Sequence, residues 1–521
     1  MALFSRVLPS LSFTVGLTAL VIAVAPPKAS LETTAVAQQP ATASPQLIAA
    51  GEQAARAFCV ACHAFPPPNV LPRHVWRDQV ARMYLFMRNE EAPATPGAAA
   101  AAVKLPPEWE AIADYYEATA PERLPDPPDW PAPGGPVAFR RHALAPADAP
   151  TTPAIAHVRL VNVDGDARPE VVASDMRHGV VLLARPYDPT APMREIAQVP
   201  HPAHIQPTDF DGDGLLDFMV ADLGSFLPMD HDRGAIVWLR GRKDGTWVPM
   251  SLGGWPRVSD VQPVDIDGDG RLDLAVAAFG WRRSGNLTLL RNETKDYDEP
   301  SFSPFLLDPR TGSIHTPPVD LNGDGRMDLV VLFAQEHETV VAYLNTGQGF
   351  AMTPQTIYAA PHPNWGSSGI QVVDLDGDGD LDVILTHGDT FDDTILKPYH
   401  GIVWLENRGS FPFAAHTLAK MPGVHRAVAG DIDGDGDLDI VACALVSSSE
   451  PAAQRLPALV WLEQTSRGVF ERHTISQGLP THATCDVGDI DGDGDLDIVV
   501  GNFSFSVPKT AWVEVWENLR R

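Results

Sequence analysis

The sequence predicts a mainly β fold, a seven-bladed β-propeller with acidic hairpin loops, preceded by a small all-α domain. Three observations support this prediction. A nine-residue acidic pattern recurs seven times in the second and larger part of the chain. Each copy lies between short apolar segments, whereas the residues well before the first copy carry helical periodicity. A fixed repeat of about 50 residues with strand-like flanks is typical of propellers.

The acidic pattern is clearest at Asp489–Asp497, with Asp at positions 1, 3, 5 and 9 and Gly at positions 4 and 6. Carboxylates at this spacing can surround Ca²⁺, which takes roughly six to eight oxygen ligands. The glycines allow the tight or positive-φ backbone that closes the loop. A helix–loop–helix calcium hand would need Glu at position 12, but that position is Val500, inside an apolar run. We therefore expect a calcium hairpin followed by a strand.

Successive loops start 47 to 58 residues apart, and position 12 is apolar in every copy. The predicted ligands at positions 1, 3, 5 and 9 of the seven loops are Asn162, Asp164, Asp166 and Glu170; Asp209, Asp211, Asp213 and Asp217; Asp265, Asp267, Asp269 and Asp273; Asp320, Asn322, Asp324 and Asp328; Asp374, Asp376, Asp378 and Asp382; Asp431, Asp433, Asp435 and Asp439; and Asp489, Asp491, Asp493 and Asp497. Because crowded carboxylates repel one another, we expect up to seven Ca²⁺ ions to stabilise the blades.

The chain has 67 acidic and 38 basic residues, a formal net charge of −29 at pH 7. The acidic residues of the seven loops account for the whole imbalance. We therefore attribute the acidic composition mainly to metal-binding loops. The negative charge argues against nucleic acid as a partner, because its recognition needs a basic surface.

The first 37 residues are typical of an export signal. Arg6 precedes an apolar run from Val7 to Ala25, and Ala35 and Ala37 provide small residues for cleavage. An uncleaved membrane anchor is the alternative. We expect an exported protein, periplasmic or extracellular, where weak calcium sites fill.

A c-type haem attachment motif lies at Cys59, Cys62 and His63. Two thiols at this spacing form thioethers to the porphyrin vinyl groups, and the adjacent imidazole supplies an axial nitrogen to iron. Zinc would need four ligands, and no second Cys pair lies nearby. A redox-active dithiol is the other alternative, but the adjacent His63 and the lack of a βαβ pattern count against it.

Helical periodicity precedes the motif over Gln46–Phe58, and a second predicted helix covers Pro107–Thr119. Residues 45–120 thus resemble a class I cytochrome c, whose terminal helices cross beside the haem. That resemblance implies a second axial ligand, for which Met83 is favoured and Met87, four residues on, is the next candidate; His74 is a third. The Ala/Pro-rich segment from 90 to 105 is predicted to be an insertion or loop.

A Pro-rich linker at residues 121–136 marks the predicted domain boundary. From 137 to 521 each repeat contains four strand-like segments, the third rich in Trp, which predicts seven four-stranded blades. Phe139–Leu144 matches the fourth-strand pattern but precedes the first loop, and the chain ends after a third strand. We therefore expect Phe139–Leu144 to complete the last blade and remove its exposed edge.

These repeats resemble FG-GAP/VCBS propellers, the family that includes the integrin α-subunit head. The resemblance implies calcium bound in the Asp-x-Asp-x-Asp-Gly loops and ligands met on the opposite rim. Loop one departs most, with Asn162 at position 1 and Ala167, Pro169 and Glu170 further on, so we expect weak or absent metal there. Loop four has Asn322 at position 3 and is expected to bind.

Two sets of polar residues are predicted on the rim away from the calcium loops. The first stands five residues before each loop: His157, His204, Asp260, His315, Gly369, Arg426 and Thr484. The second lies in the turns between second and third strands: His178, His231, Trp281, His337, His387 and Asn502. They form either a solvated ring of loops, or a ligand pocket or docking face for the haem domain. No catalytic triad or carboxylate dyad is evident. Cys443 and Cys485 could form a disulfide.

The sequence thus predicts an exported haem protein that transfers electrons to an unidentified redox partner, with a calcium-stabilised propeller that recognises a protein or glycan. One alternative is a dehydrogenase-like enzyme that oxidises a small substrate at the propeller rim. Another is an adhesion or polysaccharide-binding protein with an accessory cytochrome. Substrate-dependent reduction of the haem would distinguish the enzyme from the other two.

Overall fold

The computed structural model describes residues 44–520 except 94, 96, 167, 189, 392, 448–450 and 506–510. The predicted export signal lies outside these residues. Within them, no helix combines the length and apolar character needed to cross a membrane.

The described chain begins with a helical segment, residues 44–120. Its α-helices are α1 (Pro45–Cys59), α2 (Arg73–Met87), α3 (Ala98–Ala102) and α4 (Pro107–Thr119), and a short 3₁₀ turn covers Pro68–Val70. The Ser44 hydroxyl caps α1 by accepting a hydrogen bond from the Leu47 amide at 3.3 Å. The predicted terminal helices are confirmed. The segment predicted as a loop instead contains α3, because a run of alanines has the highest helix propensity.

The terminal helices α1 and α4 cross at Gly51. A β-carbon at this position would lie 2.1 Å from the carbonyl oxygen of Ala111 and 2.7 Å from the β-carbon of Tyr115. Glycine therefore permits the two backbones to approach closely. Around the crossing, an aromatic core includes Trp76 stacked on Tyr116, with ring centroids 3.9 Å apart.

Beyond residue 136 the described chain folds into strands, which are, in order, β1 (Phe139–Leu144), β2 (Ile155–Val161), β3 (Glu170–Asp175), β4 (Val180–Ala184), β5 (Arg194–Gln198), β6 (Pro202–Thr208), β7 (Asp217–Asp222), β8 (Gly234–Gly241), β9 (Trp247–Trp255), β10 (Val258–Val264), β11 (Asp273–Ala278), β12 (Asn286–Asn292), β13 (Phe302–Asp308), β14 (Ser313–His315), β15 (Pro318–Val319), β16 (Asp328–Phe333), β17 (Thr339–Gln348), β18 (Ala351–Ala359), β19 (Ser367–Val373), β20 (Asp382–His387), β21 (Gly401–Glu406), β22 (Ala414–Lys420), β23 (Val424–Gly430), β24 (Asp439–Ala444), β25 (Pro457–Ser466), β26 (Val469–Gln477), β27 (His482–Gly488), β28 (Asp497–Asn502) and β29 (Val513–Asn518). A 3₁₀ turn covers Pro451–Arg455.

These strands form seven antiparallel sheets, so the prediction of a seven-bladed propeller is confirmed. Six blades use consecutive strands, and in the fourth the innermost strand is split into β14 and β15, with prolines at 317 and 318 between and within them. The seventh sheet has the order β1-β29-β28-β27, with Phe139 opposite Asn518 and Leu144 opposite Val513. The predicted closure by the N-terminal strand is therefore correct, and it covers the edge of the last blade.

The apolar core lies between neighbouring blades. Every residue of the second strand in each blade is buried, because that strand has a hydrogen-bonded neighbour on both sides and a blade on both faces. This is why the segments that follow the acidic loops read as continuous apolar runs rather than alternating ones.

The helical segment packs against the propeller, and the two belong to one compact unit. Ile395 and Tyr399, from the long turn between β20 and β21, pack against the helical core. The Pro-rich segment of residues 121–136 has no regular structure and is held to the propeller by Trp130, whose indole N–H donates to the Lys420 carbonyl oxygen at 3.0 Å. This contact places the Pro-rich segment against the propeller.

Candidate functional site

The Cys-x-x-Cys-His motif lies where α1 ends. Cys59 is the last residue of the helix, and the amides of Cys62 and His63 both donate to its carbonyl oxygen at 3.4 Å. This extra turn brings both thiols and the imidazole to one end of the helix. The His63 Nδ1 lies 2.8 Å from the Ala64 carbonyl oxygen, which favours the tautomer with the proton on Nδ1 and leaves Nε2 available to a metal.

The two thiols have different surroundings. Cys62 is exposed, whereas Cys59 is partly buried beside the Tyr116 hydroxyl. Burial raises the pKa of the Cys59 thiol, although its hydrogen bond with Tyr116 acts in the opposite direction. Burial also raises the pKa of Tyr116, whose hydroxyl donates to the Pro66 carbonyl oxygen at 2.9 Å. Tyr116 thus connects the motif to the aromatic core, a role that the sequence motif did not indicate.

Met83 and Met87, the predicted axial ligands, lie on α2 and are 39% and 57% exposed. They share a helical face with Trp76 and Val80, which are buried. Neither methionine is therefore needed to fill the core of the described segment. His74, the third candidate, lies near the start of the same helix and is exposed.

The acidic loops bring carboxylate oxygens close together. Three clusters place one oxygen from each member within 4.8 Å of the others: Asp209, Asp211 and Asp217; Asp265, Asp267 and Asp269; and Asp374, Asp376 and Asp382. In the third and fifth loops, one position-3 oxygen, Asp267 Oδ1 or Asp376 Oδ1, is buried without a hydrogen-bond partner. A bound cation would satisfy such an oxygen, so the donor set fits Ca²⁺.

The acid at position 9 is also a structural hub, which the sequence did not indicate. In the seventh loop, Asp497 accepts the Ile490 amide at 3.0 Å with Oδ2 and the Asn518 amide at 2.7 Å with Oδ1. The Asn518 side chain donates to the Ile432 carbonyl oxygen of the preceding blade's loop at 2.8 Å. The same pair of contacts occurs at Asp273, Asp328, Asp382 and Asp439. An amide residue recurs at the end of the third strand, and this repetition is the sequence signal that could have indicated these contacts.

Burial of these acids raises their pKa, to about 6 for Asp273, Asp382 and Asp439 and to about 7 for Asp497. Neighbouring loop carboxylates add to the effect. A cation in the loop would remove that repulsion.

The loops differ in how their charge is balanced. In the first five loops an arginine pairs with a loop carboxylate, for example Arg185 with Asp164 in loop one and Arg467 with Asp376 in loop five, the latter at 2.9 Å. Within the described residues, loops six and seven have no such ion pair. The Arg520 guanidinium nevertheless lies against Gly434 of loop six and interacts electrostatically with Asp495 of loop seven.

On the opposite rim, the first predicted set of seven residues shares one backbone feature. In each innermost strand the register shifts directly before the residue, so that one residue is left unpaired. Such a bulge bends the strand and redirects its side chains. The seven positions thus form a ring at the same level of the seven blades, and we call these residues the channel ring: His157, His204, Asp260, His315, Gly369, Arg426 and Thr484.

Within the channel ring, His204, Asp260 and His315 converge. His204 Nδ1 lies 3.0 Å from Asp260 Oδ1, and His315 Nδ1 lies 3.9 Å from Asp260 Oδ2. Burial alone would raise the pKa of Asp260, but His204, His315 and the Thr316 amide together hold it well below its usual range. Burial lowers the pKa of His315 to about 3, so its imidazole is neutral.

Most of the second predicted set is engaged within the blades. His178 Nδ1 lies 3.0 Å from Asp175, His231 Nε2 lies 2.7 Å from the Ser225 hydroxyl, and the Asn502 amide donates to Glu514 at 3.0 Å. His387 is buried and stacks on Trp365 at 4.1 Å, while Trp281 and His337 are partly exposed.

Cys443 and Cys485 form no disulfide, a bond that the sequence left open. Both residues are free, buried thiols, and their side chains pack in one apolar cluster. The side chains are therefore neighbours, as their places on β24 and β27 require.

The fold and its loops define the chain's class, a seven-bladed propeller with FG-GAP-like repeats. A family model for the FG-GAP-like repeat matches residues 209–276, 265–331, 320–385 and 387–442. The predicted resemblance to FG-GAP propellers is thereby confirmed for these repeats.

Two solved structures are similar to the propeller at low sequence identity. A rhamnogalacturonan lyase from Bacillus licheniformis is 15% identical, with 73% of this chain and 75% of that chain covered and a TM-score of 0.38. The V. cholerae biofilm matrix protein Bap1 is 11% identical, with 74% and 91% covered and a TM-score of 0.34. No curated protein matches the chain.

Proposed function

We propose that this chain is an exported c-type haem protein that transfers electrons, with a calcium-stabilised propeller that recognises its partner or ligand. The observation that carries the proposal is the arrangement at the end of α1. Two thiols and an imidazole lie within one turn, and the imidazole Nδ1 is engaged so that Nε2 is free. Residues 45–120 form the haem domain in this proposal, and residues 137–521 form the propeller.

Cys59 and Cys62 would hold the haem through thioether bonds, and His63 would supply the first axial nitrogen. When bound, the haem supplies a one-electron couple. Trp76 and Tyr116 provide an apolar wall beside Cys59. Met83 or Met87 would supply a second axial ligand from α2. Both side chains are exposed on one face of that helix, so a bound group could cover them.

The propeller's part in the proposal rests on its loops. Burial and neighbouring carboxylates raise the pKa of the loop acids, so the loops favour a bound cation. The loops also lie at the junctions between neighbouring blades. Calcium would therefore stabilise the propeller and take no part in electron transfer. An oxidising, calcium-rich compartment, periplasmic or extracellular, suits both groups.

The helical segment's contact with the propeller supports electron delivery to or from the rim. Arg283, in the turn between β11 and β12, lies over the Phe86 ring at 5.5 Å, and Tyr399 contacts the helical core from the turn between β20 and β21. Both turns lie on the rim that carries the channel ring. A ligand bound there would lie on the same face as the helical segment.

Visible spectroscopy of the purified protein tests the proposal. The Cys59→Ser/Cys62→Ser double variant should lose covalently bound haem, whereas Cys443→Ala, a matched change of a buried thiol in the propeller, should keep it. Equal haem content in the two variants would reject the assignment of these cysteines. Calcium content is measured in parallel, because it tests the propeller independently of the haem.

A second candidate function is a dehydrogenase-like enzyme that oxidises a small substrate at the rim. The convergence of His204, Asp260 and His315 favours it, because imidazole and carboxylate side chains are the groups that most often serve as general acids and bases. Anaerobic mixing with candidate electron donors distinguishes the two functions. Reduction of the haem that is lost in Asp260→Asn would establish the enzyme.

A further inference from the structure

The three converging residues of the channel ring have an arrangement that a hydrogen-bonded cluster does not explain. His204 Nδ1 lies 3.0 Å from Asp260 Oδ1, which is ion-pair distance, but the two groups do not meet the alignment that a hydrogen bond needs. The His204 side chain is only 8% exposed. A buried nitrogen without a partner is costly, and its approach to a carboxylate oxygen fits two ligands of one ion.

Two hydrogen bonds fix the orientation of the Asp260 carboxylate. Gln262 Nε2 donates to Oδ1 at 2.9 Å, and the Thr316 amide donates to Oδ2 at 2.9 Å. Each oxygen retains a second lone pair that these two bonds do not use. Partners of this kind fix the orientation of a ligating carboxylate.

We propose that His204, Asp260 and His315 bind one divalent transition-metal ion at the mouth of the propeller channel. One ligand atom from each residue lies within 4.8 Å of the other two. His157, the next member of the channel ring, stacks on His204 with ring centroids 4.2 Å apart, but its Nδ1 already accepts the Ile205 amide. The site is therefore three-coordinate from the protein, with open positions for water or a substrate.

The donor set selects the class of metal. Two imidazole nitrogens and one carboxylate oxygen suit zinc or iron(II), whereas Ca²⁺ prefers oxygen ligands alone. The site differs in this way from the seven acidic loops. It also lies outside the helical segment, so the proposal does not depend on bound haem.

Equilibrium dialysis of the full-length haem-loaded protein against Zn²⁺ tests the proposal. Millimolar Ca²⁺ is kept present to occupy the acidic loops, and metal content is measured by mass spectrometry with haem iron counted separately. We expect one tightly bound Zn²⁺ per chain. His204→Gln and His315→Gln should each weaken that site by at least roughly 100-fold. Gln262→Met, which removes only the group that orients Asp260, should weaken it by roughly 10- to 100-fold.

The matched control is His416→Gln, since His416 lies on the outer strand β22 and pairs with Glu406. It should leave Zn²⁺ binding unchanged. Thermal unfolding shows whether each variant is folded, and Zn²⁺ should raise the Tm of the wild type and of His416→Gln by more than that of the other three variants. Equal Zn²⁺ affinity in the wild type, His204→Gln and His315→Gln would overturn the proposal, and so would the absence of tight binding in the wild type.

Discussion

The Tyr399 hydroxyl lies 3.3 Å from the carbonyl oxygen of Val70 and 3.0 Å from that of Asn364. Val70 ends the 3₁₀ turn of the helical segment, and Tyr399 belongs to a turn of the fifth blade. One side chain thus joins the two parts of the chain, and its ring packs against the helical core. This contact makes the orientation of the helical segment on the propeller testable.

Tyr399→Phe keeps the ring and removes the hydroxyl, so we expect the contact to weaken by about 1 kcal/mol. Hydrogen exchange should become faster in peptides that cover residues 65–72, because the segment opens more often. Tyr187→Phe, whose hydroxyl contacts Glu170 in loop one, is the matched control. Unchanged exchange over residues 65–72 would show that the hydroxyl does not hold the helical segment.

The helix crossing gives a second prediction. Gly51→Ala improves helix propensity by about 1 kcal/mol, but its β-carbon would meet the Ala111 carbonyl oxygen at 2.1 Å. We expect the collision to dominate and to destabilise the helical segment by about 1–3 kcal/mol. Pulse proteolysis in urea, read on fragments from residues 45–120, measures it. Gln53→Ala, at an exposed position of the same helix, should not destabilise the helical segment. A Gly51→Ala variant that is more stable than the wild type would contradict the close crossing of α1 and α4.

Much of this architecture could be predicted from the sequence because it repeats. The acidic loops fixed the number of blades, and the unmatched strand Phe139–Leu144 indicated the closure. The channel ring was also predicted as a set, since equivalent positions in repeated units lie at one level. The convergence of three of its members could not be predicted, because it depends on a bulge in each strand and on contacts between blades.

The seven acidic loops should not contribute equally to calcium binding. Asp431→Asn in loop six removes a position-1 carboxylate from a loop with no paired arginine among the described residues, so it should cost one bound Ca²⁺ and lower the Tm by about 1–3 °C. Asp166→Asn in loop one, whose position 1 is already Asn162, is the comparison. It should change neither the number of bound Ca²⁺ ions nor the Tm. Calcium content and calorimetry in excess Ca²⁺ measure the effects. The same calcium content and Tm in the two variants would contradict the expectation that loop six contributes more than loop one.

The axial ligand is addressed by comparing the two methionines. If Met83 ligates iron, Met83→Ala should lower the reduction potential by on the order of 0.1 V and abolish the sulfur-to-iron absorption band. Met87→Ala should then leave both unchanged. The reverse result would assign Met87. A potential and spectrum that neither substitution changes would exclude both, and His74→Gln would then be tested.

Glu338 gives a pH-dependent prediction. Its carboxylate is 4% exposed and accepts the amides of Gly366 and Ser367 at 3.2 and 2.9 Å. Burial raises the pKa of Glu338 to about 8 from the model-peptide value of 4.5. Between these values the folded chain retains a proton that the unfolded chain has lost, so stability falls as pH rises, by up to about 1.4 kcal/mol per pH unit.

Glu338→Gln should remove that part of the pH dependence. Urea unfolding between pH 5 and 8, in excess Ca²⁺, measures the difference in slope from the wild type. Glu336→Gln, a partly exposed neighbour, is the matched control and should keep the wild-type slope. A Glu338→Gln variant with the full wild-type slope would show that Glu338 is not protonated in the folded state.

The contacts that sequence reasoning missed are those made by groups of ordinary composition. Asn518 and its equivalents resemble any polar residue at a strand end, yet their side chains join neighbouring blades. Tyr116 resembles a core aromatic residue, and only the packing of α1 on α4 places its hydroxyl beside Cys59. The proximity of Cys443 and Cys485 could be anticipated from their places in the repeats, whereas whether they are bonded could not.

The mass and spectrum of the denatured, purified protein test the central claim most directly. The full-length chain is produced in a host that attaches c-type haem, and it is then unfolded in acid and organic solvent to remove any group that is not covalently bound. The account predicts a mass greater by one haem and a Soret band that remains with the chain. An unmodified mass with no Soret absorption would contradict it.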